Sequence, residues 1–255
     1  MRRLFLAITK GEALRFLGHL DVIRTFERIV QRSGLIATFS EGFNPHMKIA
    51  FDAALGVGVA ADPLYAELRI ESEETTAEIS EKLSAECPEG LVICGIIEAE
   101  PDWPKLINFL NEDSYEVEGP VSFAQEETET ARRLAEFNAL PSYLYERVTP
   151  KKTRTMDVKQ MLSGPVEAEI RGDRAFLRFS LWRMNTGSIQ PKDLWKILAD
   201  DFGMPWTPGE LVCKRIGTYH REGERRITPF DADAFPKKKA PAPKKKKFGG
   251  NKEMK

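Results

Sequence analysis

Apolar positions along the first hundred residues follow two periods, one typical of strands and one of helices. An apolar run at 3–9, alternation at 64–71 and a further run at 91–97 predict three strands. Residues 35–39 and 48–51 are shorter strand candidates. The apolar faces of these strands need helices to cover them, and the sequence between the strands supplies two.

Both predicted helices of this region carry an apolar stripe. The first has apolar residues at spacings of three and four: Leu20, Ile23, Phe26 and Val30. Gly34 follows it and suits a left-handed C-terminal cap. The second runs over 75–86, with Thr75 or Thr76 as its N-cap. The resulting order, strand–helix–strand–strand–helix–strand, is the ferredoxin-like plan.

A looser copy of this pattern occupies residues 113–222. Its predicted strands and helices are, in order, a strand at 114–121, a helix at 123–137, a strand at 144–148, a hairpin at 166–181, a helix at 191–201 and a strand at 210–219. The pattern predicts an α+β fold of two tandem ferredoxin-like halves with a disordered basic C-terminal tail. The boundaries are 1–100 for the first half, 101–112 for a linker, 113–222 for the second half and 223–255 for the tail.

Composition places the chain among globular proteins. Hydrophobic residues make up 42% and charged residues 30% of 255 residues, and no apolar run reaches about 18 residues. Cys87, Cys94 and Cys213 form no Cys-x-x-Cys pair, which argues against a zinc site, an iron–sulfur cluster or a disulfide framework. We therefore expect a cytoplasmic protein that holds no metal and no cofactor and has no membrane partner.

Charge is distributed unevenly along the chain. Residues 237–255 contain nine Lys and one Glu, which gives this segment a net charge of +8. Because the whole chain has a net charge of −1, the preceding 236 residues have a net charge of −9. Clustered Lys gains affinity for polyanions by releasing counterions, whereas a solubility extension is the simpler role for such a segment. Any anion-binding surface on the acidic body must be a local patch.

Residues 15–48 hold the densest set of hydrogen-bond donors. Arg24, Arg28 and Arg32 recur every four residues along the first helix, and the loop at 40–48 reads Ser-Glu-Gly-Phe-Asn-Pro-His-Met-Lys. The candidate residues for binding nucleic acid or a protein partner are Arg15, His19, Arg24, Arg28, Gly42, Phe43, Asn44, His46 and Lys48. A second basic spot comprises Lys151, Lys152 and Arg154. A solvated charged face and, for Phe43, simple core packing are the alternatives.

The same stretch carries a family resemblance. Arg-Phe-Leu-Gly-His-Leu-Asp at 15–21, the loop motif at 40–48 and Ala-Leu-Gly-Val-Gly at 54–58 resemble the radical-SAM-linked bacterial family of unknown function. Weaker similarities lie at 154–159 and 217–219. The resemblance implies a separately encoded, B12-binding-type radical SAM protein as a partner. It implies no reaction.

Three functions fit these features. The first is a non-catalytic RNA-binding accessory protein of the radical SAM partner, in RNA modification or ribosome-related metabolism, with Phe43 stacking on bases. The second is a docking subunit whose motif contacts the partner directly. The third is a metal-independent ribonuclease in which His19 or His46 transfers protons. We favour them in that order.

Overall fold

The computed structural model describes residues 1–122, 127–149, 152–185, 187–207 and 209–235. The N-terminal half, residues 1–98, forms β1 (Arg2–Lys10), α1 (His19–Arg32), β2 (Ile49–Phe51), β3 (Val59–Ile70), α2 (Thr76–Ala85) and β4 (Leu91–Glu98). A short helix, α3 (Leu106–Phe109), follows it. These elements confirm the strands predicted at 3–9, 64–71 and 91–97 and the helix predicted at 75–86.

The C-terminal half, residues 112–222, begins with β5 (Glu112–Pro120), α4 (Glu127–Ala139), β6 (Leu144–Thr149), β7 (Lys152–Asp157) and α5 (Val158–Met161). It continues with β8 (Glu167–Arg171), β9 (Arg174–Trp182), α6 (Pro191–Phe202) and β10 (Val212–Glu222). A last strand, β11 (Arg225–Ile227), pairs with the end of β10. The fold is therefore α+β, with a core made mostly of sheet.

The strands of both halves join in one sheet with the order β4-β1-β3-β10-β5-β9-β8, and β2 pairs with β3 beside this path. The halves meet where β3 and β10 run parallel, with Val59, Ala60 and Ala61 opposite Cys213, Lys214 and Arg215. All other strand pairs among the described residues are antiparallel. The two halves are therefore continuous through backbone hydrogen bonds and do not form separate sheets.

Helix α1 shows how the packing corrects the predicted stripe. Its buried residues are Val22, Phe26, Ile29 and Val30, whereas the sequence pattern selected Leu20, Ile23, Phe26 and Val30. Leu20, in the first turn of the helix, is exposed, whereas Ile23 packs partly buried against the core. Gly34 has φ +74° after the helix, which confirms the left-handed conformation expected at the cap.

Two hydrophobic clusters lie on opposite faces of the sheet. The larger one packs the helices against strand residues such as Leu6, Leu68 and Leu177. The smaller one lies on the other face of the N-terminal half, where Phe5 and Tyr65 contact α3 and the segment after β11. Both faces of β1 and β3 are thus covered, which explains the apolar run at 4–8 in β1.

Four expectations about the connecting segments are wrong. Residues 101–112 contain α3 and the start of β5, because Leu106 and Phe109 are buried against the sheet. Residues 223–235 are not a disordered tail: β11 and the buried Phe235 lie within them. Residues 152–157, for which no strand was predicted, form the strand β7. Residues 35–39 make isolated bridges in place of a strand.

The rest of the predicted tail, 236–255, lies outside the described residues. None of the described helices has the length and apolar character needed to cross a membrane.

Candidate functional site

The Gly-His-Leu-Asp motif lies at the start of α1. Gly18 is the N-cap, with φ −67° and ψ 163°, and its carbonyl accepts hydrogen bonds from the backbone of Asp21 and Val22 at 3.0 Å. A Cβ at Gly18 would lie 3.3 Å from a carboxylate oxygen of Asp21 and 3.9 Å from Val57. A side chain there would crowd the Asp21 carboxylate, which favours glycine before the histidine.

Lys10 anchors the Gly-His-Leu-Asp motif from the protein interior. Its Nζ lies in the protein interior and donates to the carbonyls of Leu17 and Val59 at 3.1 Å and to that of Arg15 at 3.4 Å. Burial lowers the pKa of this amine. Lys10 was not among the residues predicted from the sequence. Its position could have been noticed, because a lysine there falls on the inward-facing side of an apolar strand.

The turn at 56–58 packs against the same motif. The backbone amide of Gly58 donates to the carbonyl of Arg15 at 2.8 Å, and Gly58 has φ +89°. Three apolar side chains are exposed around this contact: Phe16 (66%), Leu20 (64%) and Val57 (69%). The Arg15 guanidinium lies 4.6 Å from the centre of the Phe16 ring. The motif therefore presents apolar surface together with one cation.

The loop at 40–46 is closed at its base and exposed at its tip. Phe39 and Met47 form a β-bridge, the Ser40 amide donates to the His46 carbonyl at 2.8 Å, and Met47 is buried. The Ser40 hydroxyl accepts from the His46 amide at 2.9 Å. Gly42 has φ +121°, so it makes the bend that presents Phe43.

Phe43 is the most exposed large apolar side chain of the described residues, at 106% of its reference area. Core packing, the alternative for this ring, is therefore wrong. Asn44 and His46 beside it are also exposed. An anchored loop with a free aromatic ring can stack on a ligand at little cost in loop ordering.

The basic candidates do not all form one pocket. Arg24 is exposed and lies 3.6 Å from Asp21, and Arg28 is exposed. Within the described part of the chain, no carboxylate lies within ion-pair distance of Arg28 or Lys48. The hydrogen bonds, ion pairs and ring contacts described there do not join the arginines of α1 to Phe43 or His46.

The two candidate histidines have different surroundings. The His19 ring packs edge-on against Phe51 with 6.1 Å between ring centres, which ties the start of α1 to β2. The exposed His46 bonds to Ser40 through its backbone. No group of three or more His, Cys, Asp or Glu residues in the described ranges is arranged to hold a metal ion.

The second basic spot lies on the β6–β7 hairpin. Lys151 is outside the described residues, and Lys152 is the first residue of β7. Arg154 is exposed and lies directly opposite Arg147 across the hairpin. A Cβ at Gly187 would lie 2.9 Å from Nη1 of Arg154, so the guanidinium packs on that glycine.

A buried ion-pair network that the sequence analysis missed joins the two halves. Arg183 donates to Asp52 at 2.5 Å and to Asp113 at 2.7 Å. The fully buried Arg215 lies 3.2 Å from Asp52 and 3.5 Å from Asp113. Burial opposes ionisation of Asp113, but Arg215 and Arg183 outweigh it and keep its pKa below the ordinary value. The network fixes the position of β2 relative to β5, β9 and β10.

Comparisons with known proteins show the family and carry no functional argument. No curated protein matches the sequence. A Cbf5-Nop10-Gar1 complex aligns at 12% identity and a TM-score of 0.47, over 83% of this chain and 48% of that chain. An H/ACA RNP bound to a substrate RNA containing 2′-deoxyuridine aligns at 11% identity and a TM-score of 0.42, over 84% and 46%.

The chain thus spans about half the length of these two proteins. An unknown protein from Galdieria sulphuraria aligns at 12% identity and a TM-score of 0.26, over 85% of this chain and 99% of that one. The family assignment does not rest on these structures, because a family model matches the sequence over residues 3–191, which is most of the chain. This chain belongs to the family described as "Uncharacterized protein conserved in bacteria (DUF2344)".

Proposed function

We propose that this chain is a cytoplasmic, non-catalytic RNA-binding protein that acts as an accessory to a separate B12-binding-type radical SAM protein. Its role would lie in RNA modification or ribosome-related metabolism. We also propose that its two halves are ferredoxin-like repeats. The strand order β4-β1-β3-β2 in the first half matches β10-β5-β9-β8 in the second, with β6, β7 and α5 as an insertion.

The exposed ring of Phe43 carries the RNA proposal. An aromatic side chain stacked on an unpaired base is worth about 1–3 kcal/mol, and any base can supply the partner face. The loop that holds Phe43 is closed by backbone contacts of Ser40 with His46, so the ring is presented before a ligand arrives. Lys48 follows the loop and supplies a cation for the RNA backbone.

The flat face of the N-terminal sheet is not the RNA surface in this proposal. Phe5 and Tyr65 on that face are covered by α3 and by the segment that contains Phe235. The proposal therefore places base stacking on the loop, which carries the most exposed ring of the described residues.

RNA binding should be measured with single-stranded RNA at increasing salt, using the full chain and a version ending at residue 235. Removing the last 20 residues separates the Lys-rich segment from the loop. The shortened chain should still bind RNA in a salt-sensitive manner, and Phe43→Ala should weaken that binding by about 5- to 100-fold. Phe16→Ala is the matched control, since it also removes an exposed ring.

Failure of the shortened chain to bind RNA, or equal binding by the Phe43→Ala variant, would refute the loop's role.

A docking role is the second candidate, and the exposed Phe16, Leu20 and Val57 around the Gly-His-Leu-Asp motif favour it. The cores of protein interfaces are enriched in apolar and aromatic residues, and these three side chains supply such a surface. Co-purification of the radical SAM partner after nuclease treatment should persist in Phe43→Ala and be lost in Phe16→Ala combined with Leu20→Ala. Loss in Phe43→Ala alone would instead indicate that RNA or the loop bridges the two proteins.

A further inference from the structure

A cavity of about 520 Å³ lies where the two halves meet, and no function described above uses it. The 54–59 segment of the N-terminal half forms one wall, and residues around the start of α6 form the other. Its apolar lining includes Leu55, Val59, Tyr115 and Leu211. This volume lies within the range of small-molecule sites, and Tyr115 offers a flat ring among aliphatic side chains.

The charged residues that line this cavity are all basic. Arg147 and Lys192 line it, and no Asp or Glu is among its lining residues in the described part of the chain. The closest carboxylate recorded for Arg147 is that of Asp193, at 3.8 Å, beyond hydrogen-bond distance. The Arg147 guanidinium therefore keeps donors available, in a body whose net charge is negative.

A third cation stands beside these two. Arg154 is the direct cross-strand partner of Arg147 on the β6–β7 hairpin, and like charges in that relation destabilise a sheet. The guanidinium of Arg154 packs on Gly187, which adjoins the cavity residue Ser188. An anion bound between the two arginines would form charge-assisted hydrogen bonds with both and offset their mutual repulsion.

Ser188 supplies an independent indication of a ligand. Its hydroxyl oxygen is buried and has no hydrogen-bond partner in the described part of the structure. Buried polar atoms without partners are rare in folded proteins, and a bound molecule is one way in which they are satisfied. Ser188 lines the cavity, so a rotation about its χ1 that exposes the hydroxyl would bring it to a bound molecule.

We propose that this cavity binds a phosphate monoester attached to a flat ring, as in a nucleoside monophosphate, either free or as the terminal nucleotide of an RNA. Arg147, Arg154 and Lys192 hold the phosphate at the mouth. The ring packs inside against Tyr115, and Ser188 bonds a polar group of the ligand. Guanidinium groups suit this role because they bind phosphate oxygens in pairs. The inference does not depend on the Phe43 loop, because the cavity contains none of its residues.

The test is calorimetric titration of the full chain with AMP, adenosine, a 5′-phosphorylated oligoribonucleotide and the same oligonucleotide with a free 5′-hydroxyl. AMP should bind at least about 10-fold more tightly than adenosine, because adenosine lacks the charged contacts. Arg147→Met and Lys192→Met should each weaken AMP binding by about 10-fold and leave adenosine binding unchanged.

Lys196→Met is the matched control, because Lys196 lies one turn further along α6, where it pairs with Asp200 at 3.5 Å. It should leave AMP binding unchanged, as should Phe43→Ala, which separates this test from that of the loop. Tighter binding of the 5′-phosphorylated oligonucleotide than of its 5′-hydroxyl form, lost in Arg147→Met, would identify an RNA end as the source. Equal binding of the two oligonucleotides, with AMP binding intact, would identify a free nucleotide. Equal affinity for AMP and adenosine, no saturable AMP binding, or unaltered binding in both Met variants would overturn the proposal.

Discussion

Removing one carboxylate from the buried network should destabilise the protein far more than removing one from the surface. Asp113 accepts hydrogen bonds from Arg183 at 2.7 and 2.9 Å and from the Thr218 hydroxyl at 2.8 Å. In Asp113→Asn, two buried guanidinium groups must share Asp52. Breaking a buried ion pair by removing one partner costs about 3–5 kcal/mol, against a total stability of about 5–15 kcal/mol for a typical domain.

Urea unfolding measures this cost directly. With a slope of about 2–3 kcal/mol per molar urea, the midpoint should fall by about 1–2 M. Glu116→Gln is the matched control on the same strand, because Glu116 pairs with Arg178 at 2.6 Å and both side chains are partly exposed to solvent. That pair contributes about 0.2–1 kcal/mol. The ion-pair argument is refuted if Asp113→Asn costs no more than Glu116→Gln.

The pH dependence supplies a second check on Asp113. Its pKa is lower in the folded protein than in the unfolded chain, so its contribution is fully present above the unfolded pKa of about 3.9. The contribution is lost as the pH falls through the folded pKa. The stability difference between the wild-type protein and Asp113→Asn should therefore be constant near neutral pH and shrink in acid. A difference that grows in acid would contradict this assignment.

Three further substitutions test local packing, each by urea unfolding. Lys10→Met should cost at least about 1–3 kcal/mol, because it leaves buried carbonyl groups without their donor. Thr75→Ala removes the hydroxyl that accepts from the third residue of α2 and should cost about 1 kcal/mol. Gly119→Ala would place a Cβ 2.6 Å from the Trp195 ring and should cost about 1–3 kcal/mol, whereas Gly164→Ala, with open space around it, should be neutral. A neutral result for Lys10→Met, Thr75→Ala or Gly119→Ala would refute the contact concerned.

Local periodicity predicted most of the elements because each strand or helix needs an apolar face. On α1 it predicted Phe26 and Val30 correctly, but it placed the exposed Leu20 on the buried stripe in place of Val22. It missed β7, because the basic residues there alternate with Thr in a hairpin that is not part of the main sheet. Tertiary packing decided the case of α1. Strand β7 pairs with β6, which precedes it in the chain, so the missing signal there was an apolar face and not a distant contact.

The candidate site could be predicted only where its residues are close together in the sequence. The exposed Phe43 loop could be recognised from its Gly and Asn-Pro turn signals. The network of Asp52, Asp113, Arg183 and Arg215 joins residues up to 163 positions apart, so no spacing in the sequence reveals it. The cavity between the halves depends on the parallel pairing of β3 with β10, which is equally non-local.

The pairing of β3 with β10 and the burial of Phe5 by the C-terminal segment affect how the chain folds during synthesis. The ribosome releases the first hundred residues long before Ile227, Ala234 and Phe235, which complete the second apolar cluster. Until then, α3 covers one face of the early sheet only in part, and the edge of β3 beside Val59, Ala60 and Ala61 lacks its neighbour. A nascent chain stalled near residue 200 would therefore be a natural client for chaperones. A circular permutant that brings the final segment to the front should need them less.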